Sequence, residues 1–99
     1  MITIVQRAAE RDLEEGFEYY ERVRAGLGTD FVTEFRRAVD RILTFPRGWH
    51  ALDDLYRRCQ FQRFPYGIVY RIDEAAQQII IVAIQQLQRD QDRWRDRLP

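Results

Sequence analysis

Apolar residues recur along the chain with two different periods, and the switches between them divide it into elements. Ile2 to Val5 is a short, β-branched apolar run, which predicts a first strand. From Ala8 the period lengthens. Ala9, Leu13, Phe17 and Tyr20 follow at intervals of four, four and three, which places them on one face of a helix. Glu10, Glu14, Glu15, Glu18 and Glu21 occupy its remaining surface, and Glu18 precedes Arg22 by the four residues that suit a surface ion pair. Gly16 interrupts this helix at a cost of about 1 kcal/mol relative to Ala. Ala25-Gly26-Leu27-Gly28 supplies a stop and a tight turn. Thr29 or Asp30 can then cap a second helix with Phe31, Phe35, Ala38 or Val39, Ile42 and Phe45 as its buried stripe, and Pro46 ends it. Two helices joined by so short a turn form an antiparallel hairpin whose apolar stripes need a cover.

The second half of the chain provides one. After the loop Arg47-Gly48-Trp49-His50, Leu55, Arg57, Cys59 and Phe61 alternate with Tyr56, Arg58 and Gln60, which is the period of a strand. Phe64-Pro65-Tyr66-Gly67 reads as a turn, beyond which Ile68, Tyr70 and Ile72 alternate with Val69 and Arg71. A polar link from Asp73 to Gln78 leads into Ile79 to Ile84, a continuous apolar run of the kind buried on both faces, hence central in a sheet. The charged stretch Asp90 to Arg97 has room for one or two helical turns. The expected class is α+β: a two-helix hairpin packed on a mostly antiparallel four-stranded sheet, in the order β-α-α-β-β-β, with a short C-terminal helix. The alternation leaves open where Ile2 to Val5 joins the sheet.

Length and composition narrow the class of protein. Ninety-nine residues suffice for one core, and no repeat, low-complexity tract or Gly/Ser linker divides them, so residues 1–99 are read as a single domain. A hydrophobic share of 45% supports that core without a metal or a disulfide, and the lone Cys59 has no internal partner. No apolar run approaches the roughly 20 residues that span a bilayer. The N-terminus shows no basic start, apolar stretch and cleavage site in series, so the expected location is cytoplasmic, with no membrane partner. Sixteen basic and sixteen acidic residues cancel, which argues against binding nucleic acid or membrane through net charge. The local distribution is uneven, with four Arg and no acid from Leu55 to Ile72. Every basic residue is Arg, while Lys, Ser and Asn are absent, a bias too widespread to mark one site. Its chemical consequence is that the cations stay protonated and make poor acids or bases near neutral pH.

No phosphate loop, dinucleotide fingerprint, nucleophile elbow or metal-spaced Cys/His cluster occurs, so neither cofactor nor metal is expected. Cys59 shares a face with Leu55 and Phe61 and reads as a core thiol rather than a nucleophile paired with His50. The carboxylates fall mostly on helix surfaces, where they face solvent. The arginines of the strands are the more informative set. Arg57, Arg63 and, depending on how the turn bends, Arg58 or Arg71 project from the sheet near one another, and Arg89, Arg93, Arg95 and Arg97 arrive in the closing segment beside Trp94. A sheet face lined by guanidinium groups with an aromatic at its rim suits phosphate or an acidic peptide equally. The alternative is that these arginines pair with Asp53, Asp54, Asp73, Asp90, Asp92 and Asp96 and do nothing more.

Several fragments together resemble the RelE/ParE superfamily of type II toxins. They are Ala9-Glu10-Arg11-Asp12-Leu13-Glu14-Glu15, Gly26-Leu27-Gly28 before Phe31, Phe45-Pro46 followed by Trp49, and the run from Arg63 through Phe64-Pro65-Tyr66-Gly67-Ile68-Val69-Tyr70-Arg71 to Ile72. Arg89-Asp90 and Trp94-Arg95-Asp96-Arg97 complete the set. They cover almost the whole chain in the same order, and the Phe-Pro-Tyr turn into an Ile-Val-Tyr-Arg strand is the most specific of them. The resemblance implies a small bacterial toxin neutralised by a cognate antitoxin, whose tail orders as it wraps the helix hairpin. Leu13, Phe17, Tyr20, Phe31 and Phe35 are the expected antitoxin contacts.

The superfamily divides by target. One branch cleaves messenger RNA on the ribosome, and the ParE-like branch poisons DNA gyrase. The first needs a side chain that exchanges a proton with a ribose hydroxyl or a leaving oxygen. This chain has no Lys and a single His, His50, and Tyr70 is the one tyrosine considered for that task. Gln86 stands where many relatives carry His. Arg63 and Arg71 match phosphate-facing positions and would be the residues of a nuclease, but a charge clamp without proton transfer is a weak one. The ParE-like, gyrase-binding reading is therefore favoured, with the ribosome-dependent mRNA endonuclease as alternative and an inactive or binding-only relative as the third. The expected target-binding residues are Arg57, Arg58, Arg63, Arg71, Arg89, Trp94, Arg95 and Arg97.

Overall fold

The computed structural model describes residues 1–89 and 92–99. Strand β1 (Ile2–Val5) leads into helix α1 (Arg7–Val23) and helix α2 (Leu27–Thr44). Strands β2 (His50–Ala51), β3 (Tyr56–Gln60), β4 (Tyr66–Asp73) and β5 (Gln78–Gln86) follow, and a 3-10 helix, Arg93–Arg97, closes the chain. The helix hairpin is present, but its second helix is capped otherwise than expected. Leu27 already lies in α2, so Thr29 and Asp30 fall in its first turn. Its free N–H groups are met from α1: the Glu21 carboxylate accepts from Gly26 N at 3.0 Å and from Gly28 N at 3.0 Å. Gly26, at φ +91°, supplies the left-handed residue that this reversal requires.

The sheet has five strands in the order β1-β5-β4-β3-β2, not four, and it is mixed. β1 runs parallel to β5, pairing Ile2 with Gln78 and Val5 with Ile81, while the remaining pairs are antiparallel. The added strand is β2, whose two residues pair with Arg57 and Arg58 and are too few to show a period. β5 is central over its first half, as its unbroken apolar run predicts.

The strands separate two apolar clusters. On the helix side, Phe31, Phe35, Ala38 and Ile42 of α2 pack with Cys59, Ile68, Tyr70, Ile79, Ile81 and Ile84. On the outer side, Tyr56, Val69, Ile80, Val82 and Ala83 pack with Trp94 of the 3-10 helix. A register shift beside Val69 and Tyr70 puts both Val82 and Ala83 on the outer face, which is how consecutive apolar residues in β5 all find cover.

Gly16 is not an interruption but a contact. A Cβ there would lie 2.4 Å from the Phe31 ring, so α1 approaches α2 only because the side chain is missing. Gly16→Ala should therefore destabilise the chain, by up to about 2 kcal/mol in urea melts. The cost of overpacking, about 1–3 kcal/mol, exceeds the helix-propensity gain of about 1 kcal/mol.

Candidate functional site

The eight residues expected to bind the target do not form one cluster. Successive residues of a strand point to opposite faces, so Arg57 and Arg58 part company. Arg57 turns to the helix side, where its Nη1 donates to the carbonyl of Trp49 at 2.9 Å. Arg58 lies on the outer face opposite Val69, and Arg71, opposite Tyr56, is its diagonal neighbour there. Arg63 is elsewhere. It sits in the β3–β4 turn, 3.7 Å from Asp30 Oδ2, with its guanidinium 5.4 Å from the Phe64 ring centre. Arg71 lies five residues into β4 from Tyr66, about 17 Å along the strand, so Arg63 and Arg71 do not close on one phosphate.

That turn is held from below. The buried Glu34 carboxylate accepts from Arg63 N at 2.5 Å, and Phe64 takes the left-handed backbone, φ 72°, while its ring packs on Tyr20 and Phe31. Packing stabilises a conformation that a residue other than glycine seldom adopts.

The closing segment crosses the outer face and is fastened on both sides. Arg97 donates from Nη1 and Nη2 to the two carboxylate oxygens of Asp12, each at 2.8 Å, and from Nη1 to the carbonyl of Val82 at 3.0 Å. Asp12 also accepts from Ile84 N at 3.0 Å. The two side chains together cap the edge of β5 where β1 has ended, one as donor and one as acceptor, as a neighbouring strand would. On the far side Arg95 donates to Asp53 at 2.9 Å and lies over the Trp94 ring, 4.4 Å from its centre. Trp94 is no rim aromatic: it is 2% exposed, wedged against Tyr56. Arg95 and Arg97 are thus committed to acids, as is Arg63, and Asp92 adds a second acid to Arg95. Asp90, one of the anticipated partners, lies outside the described residues.

Between α1, the end of β5 and the 3-10 helix runs a groove of about 820 Å³. Arg11, Tyr19, Tyr66, Gln85, Gln86 and Arg89 are among its walls. Of the anticipated set, Arg89, Trp94 and Arg97 reach it, while Arg57, Arg58, Arg63 and Arg71 do not line it. Tyr19, Tyr66 and Gln85 were not foreseen. The turn motif contained Tyr66, but its apolar neighbours disguised a hydroxyl that reaches the groove.

The titratable groups nearby are poorly placed for proton transfer. Burial, and then the neighbouring Tyr66, pushes the Tyr20 hydroxyl up to about 12, and burial raises Tyr66 as well. Tyr70 lies on the helix side, donates to the carbonyl of Pro46 and is pushed by burial to about 12. His50 stands in β2, at the opposite edge of the sheet from β1. Because Tyr20 and Tyr70 are harder to ionise when folded than when unfolded, stability is intact below pH 10 and falls as pH rises from 10 to 12. Two such groups amount to a loss of about 4–5 kcal/mol by pH 12, readable as coincident unfolding and phenolate absorbance.

The expected antitoxin contacts also divide. Phe31 is 0% exposed and Phe35 is 9% exposed, so both belong to the core and offer no surface to a partner. Leu13 and Tyr20 are half-buried against that core, and Phe17, at 36%, is the one that reaches solvent. The α2 stripe was located correctly from Phe31 to Ile42, where the sheet already covers it, but Phe45, expected to end it, lies beyond the helix and is 66% exposed.

Comparison with known proteins agrees with this architecture. The family described as "ParE toxin of type II toxin-antitoxin system, parDE" matches residues 4–91. A solved chain from the chromosomal ParDE TA system of P. aeruginosa superposes with a TM-score of 0.76, at 18% identity, covering 88% of this chain and 96% of that one. At that identity the superposition bears on the fold alone. A search of curated proteins finds no match.

Proposed function

Since the chain belongs to the ParE toxin family of type II toxin–antitoxin systems, we propose that it arrests bacterial growth by docking on DNA gyrase and that a cognate antitoxin neutralises it. The observation that carries this reading is the make-up of the outer sheet face. It offers Arg58 and Arg71 without an acid partner among the described residues, while Tyr70 points to the helix side and donates to the carbonyl of Pro46. His50 is the register partner of Arg58, so an imidazole stands beside the cations, and the reading takes the permanent charges as binding groups. The antitoxin then meets the surface that the hairpin leaves apolar, on which Phe17, Tyr19 and Val23 of α1 are exposed. The protein works in the cytoplasm, where both partners are.

Induced expression should stop growth, and co-expression of the antitoxin encoded next to it should restore growth. Purified protein should inhibit supercoiling by gyrase and leave ribosome-bound message intact. Message cut by the purified protein, with supercoiling unimpaired, would replace this reading by the nuclease one.

A further inference from the structure

Among the described residues, three side chains keep buried polar atoms without a hydrogen-bond partner on the outer sheet face: Arg58 through Nε, Gln85 through both amide atoms, and Trp94 through Nε1. They converge. Gln85 is the register partner of Gly67 on β4, and the Arg58 stem lies across Gly67, where a Cβ would come within 3.0 Å of its Cγ. The missing side chain lets a residue of β3 lean over β4 toward β5. Trp94 closes the same area from above, lining the groove beside Gln85. Buried polar groups are ordinarily satisfied, and the fold gains nothing from three that are not.

We propose that Arg58 and Gln85 form a recognition pit for a carboxylate on the protein target, covered at rest by Trp94 and opened when Arg95 leaves Asp53 and Arg97 leaves Asp12. The proposal rests on the toxin reading above. The Nε–H and a neighbouring Nη–H on the edge of a guanidinium form the fork that holds a carboxylate at two points, and in Arg58 the unpartnered Nε is half of it. The Gln85 amide and the Trp94 indole add donors, and Gln85 Oε1 remains for an N–H of the same partner. The adjoining groove mixes Arg11, Arg89, Arg93 and Arg97 with Asp12, Glu15 and Asp96, and the chain has no net charge, so no single-sign field selects a chain of phosphates there. A single acidic side chain on a protein surface needs no more than the guanidinium fork and the N–H groups beside it.

Arg58→Lys keeps the charge and removes the fork, and Gln85→Leu keeps the bulk and removes the amide. Each should weaken growth arrest at least tenfold with Tm unchanged or raised, since these atoms contribute nothing to folding. A merely structural role would lower Tm. Arg95→Ala loosens the cover without opening a cavity. Glutarate, a free dicarboxylate, should raise the Tm of Arg95→Ala more than that of the unaltered chain, and have no effect once Arg58→Lys is added. Undiminished arrest in Arg58→Lys and Gln85→Leu, a fall of Tm in both, or a response to inorganic phosphate but not to glutarate overturns the pit. Failure of the unaltered chain to arrest growth removes the toxin reading instead, and the glutarate response then decides the pit by itself.

Discussion

Phe31→Ala should cost about 3–5 kcal/mol and leave a large part of the chain unfolded at growth temperature. Phe31 has no exposed surface, and its ring centre lies 4.9 to 5.4 Å from those of Tyr20, Phe61, Phe64 and Tyr66. It joins α1, α2 and the β3–β4 turn in a single aromatic cluster, so its removal leaves a cavity that no one element can collapse to fill. Small domains have about 5–15 kcal/mol in total. Urea denaturation followed by far-UV circular dichroism measures the loss, and Phe17→Ala serves as the comparison. Phe17 is partly exposed and should lose less than half as much. Equal losses would mean that the hairpin surface, not its interior, holds the chain together.

Asp12→Ala should be the most damaging change at a charged position, by about 2–4 kcal/mol. One carboxylate accepts from two Arg97 nitrogens and from Ile84 N, and its removal leaves Arg97 with the Val82 carbonyl alone and the part-buried Ile84 N–H without its acceptor. Arg97→Ala should cost less, about 1–2 kcal/mol, because Asp12 keeps its bond to Ile84 N and the Val82 carbonyl can take water. The double variant should then show a coupling of about 1–3 kcal/mol. Additive losses would reduce the pair to an ordinary surface contact worth less than about 1 kcal/mol.

Legibility in the sequence followed the range of the interaction. The helices and the central strand are written in local periods, so Ala9, Phe31, Phe35 and Ile79 to Ile84 could be placed on buried faces before any coordinates. Which buried face remains open to a partner is not a local property. Phe31 and Phe35 were assigned to an antitoxin because the stripe shows that they need cover, not that Cys59, Ile68 and Tyr70 already provide it. The fastening of the closing segment was hidden for the same reason, since Asp12 and Arg97 stand 85 residues apart. Among sixteen arginines, composition cannot tell the paired from the unpaired. The two-residue β2 and the parallel pairing of β1 carry no period at all.

That parallel pairing also sets a timetable. β1 leaves the ribosome ahead of its partner β5, which begins at Gln78, and at about 5 to 20 residues per second some 4 to 15 s of translation separate the two. Throughout that interval the hairpin has no finished sheet beneath it, and its apolar stripes wait for the strands that will cover them.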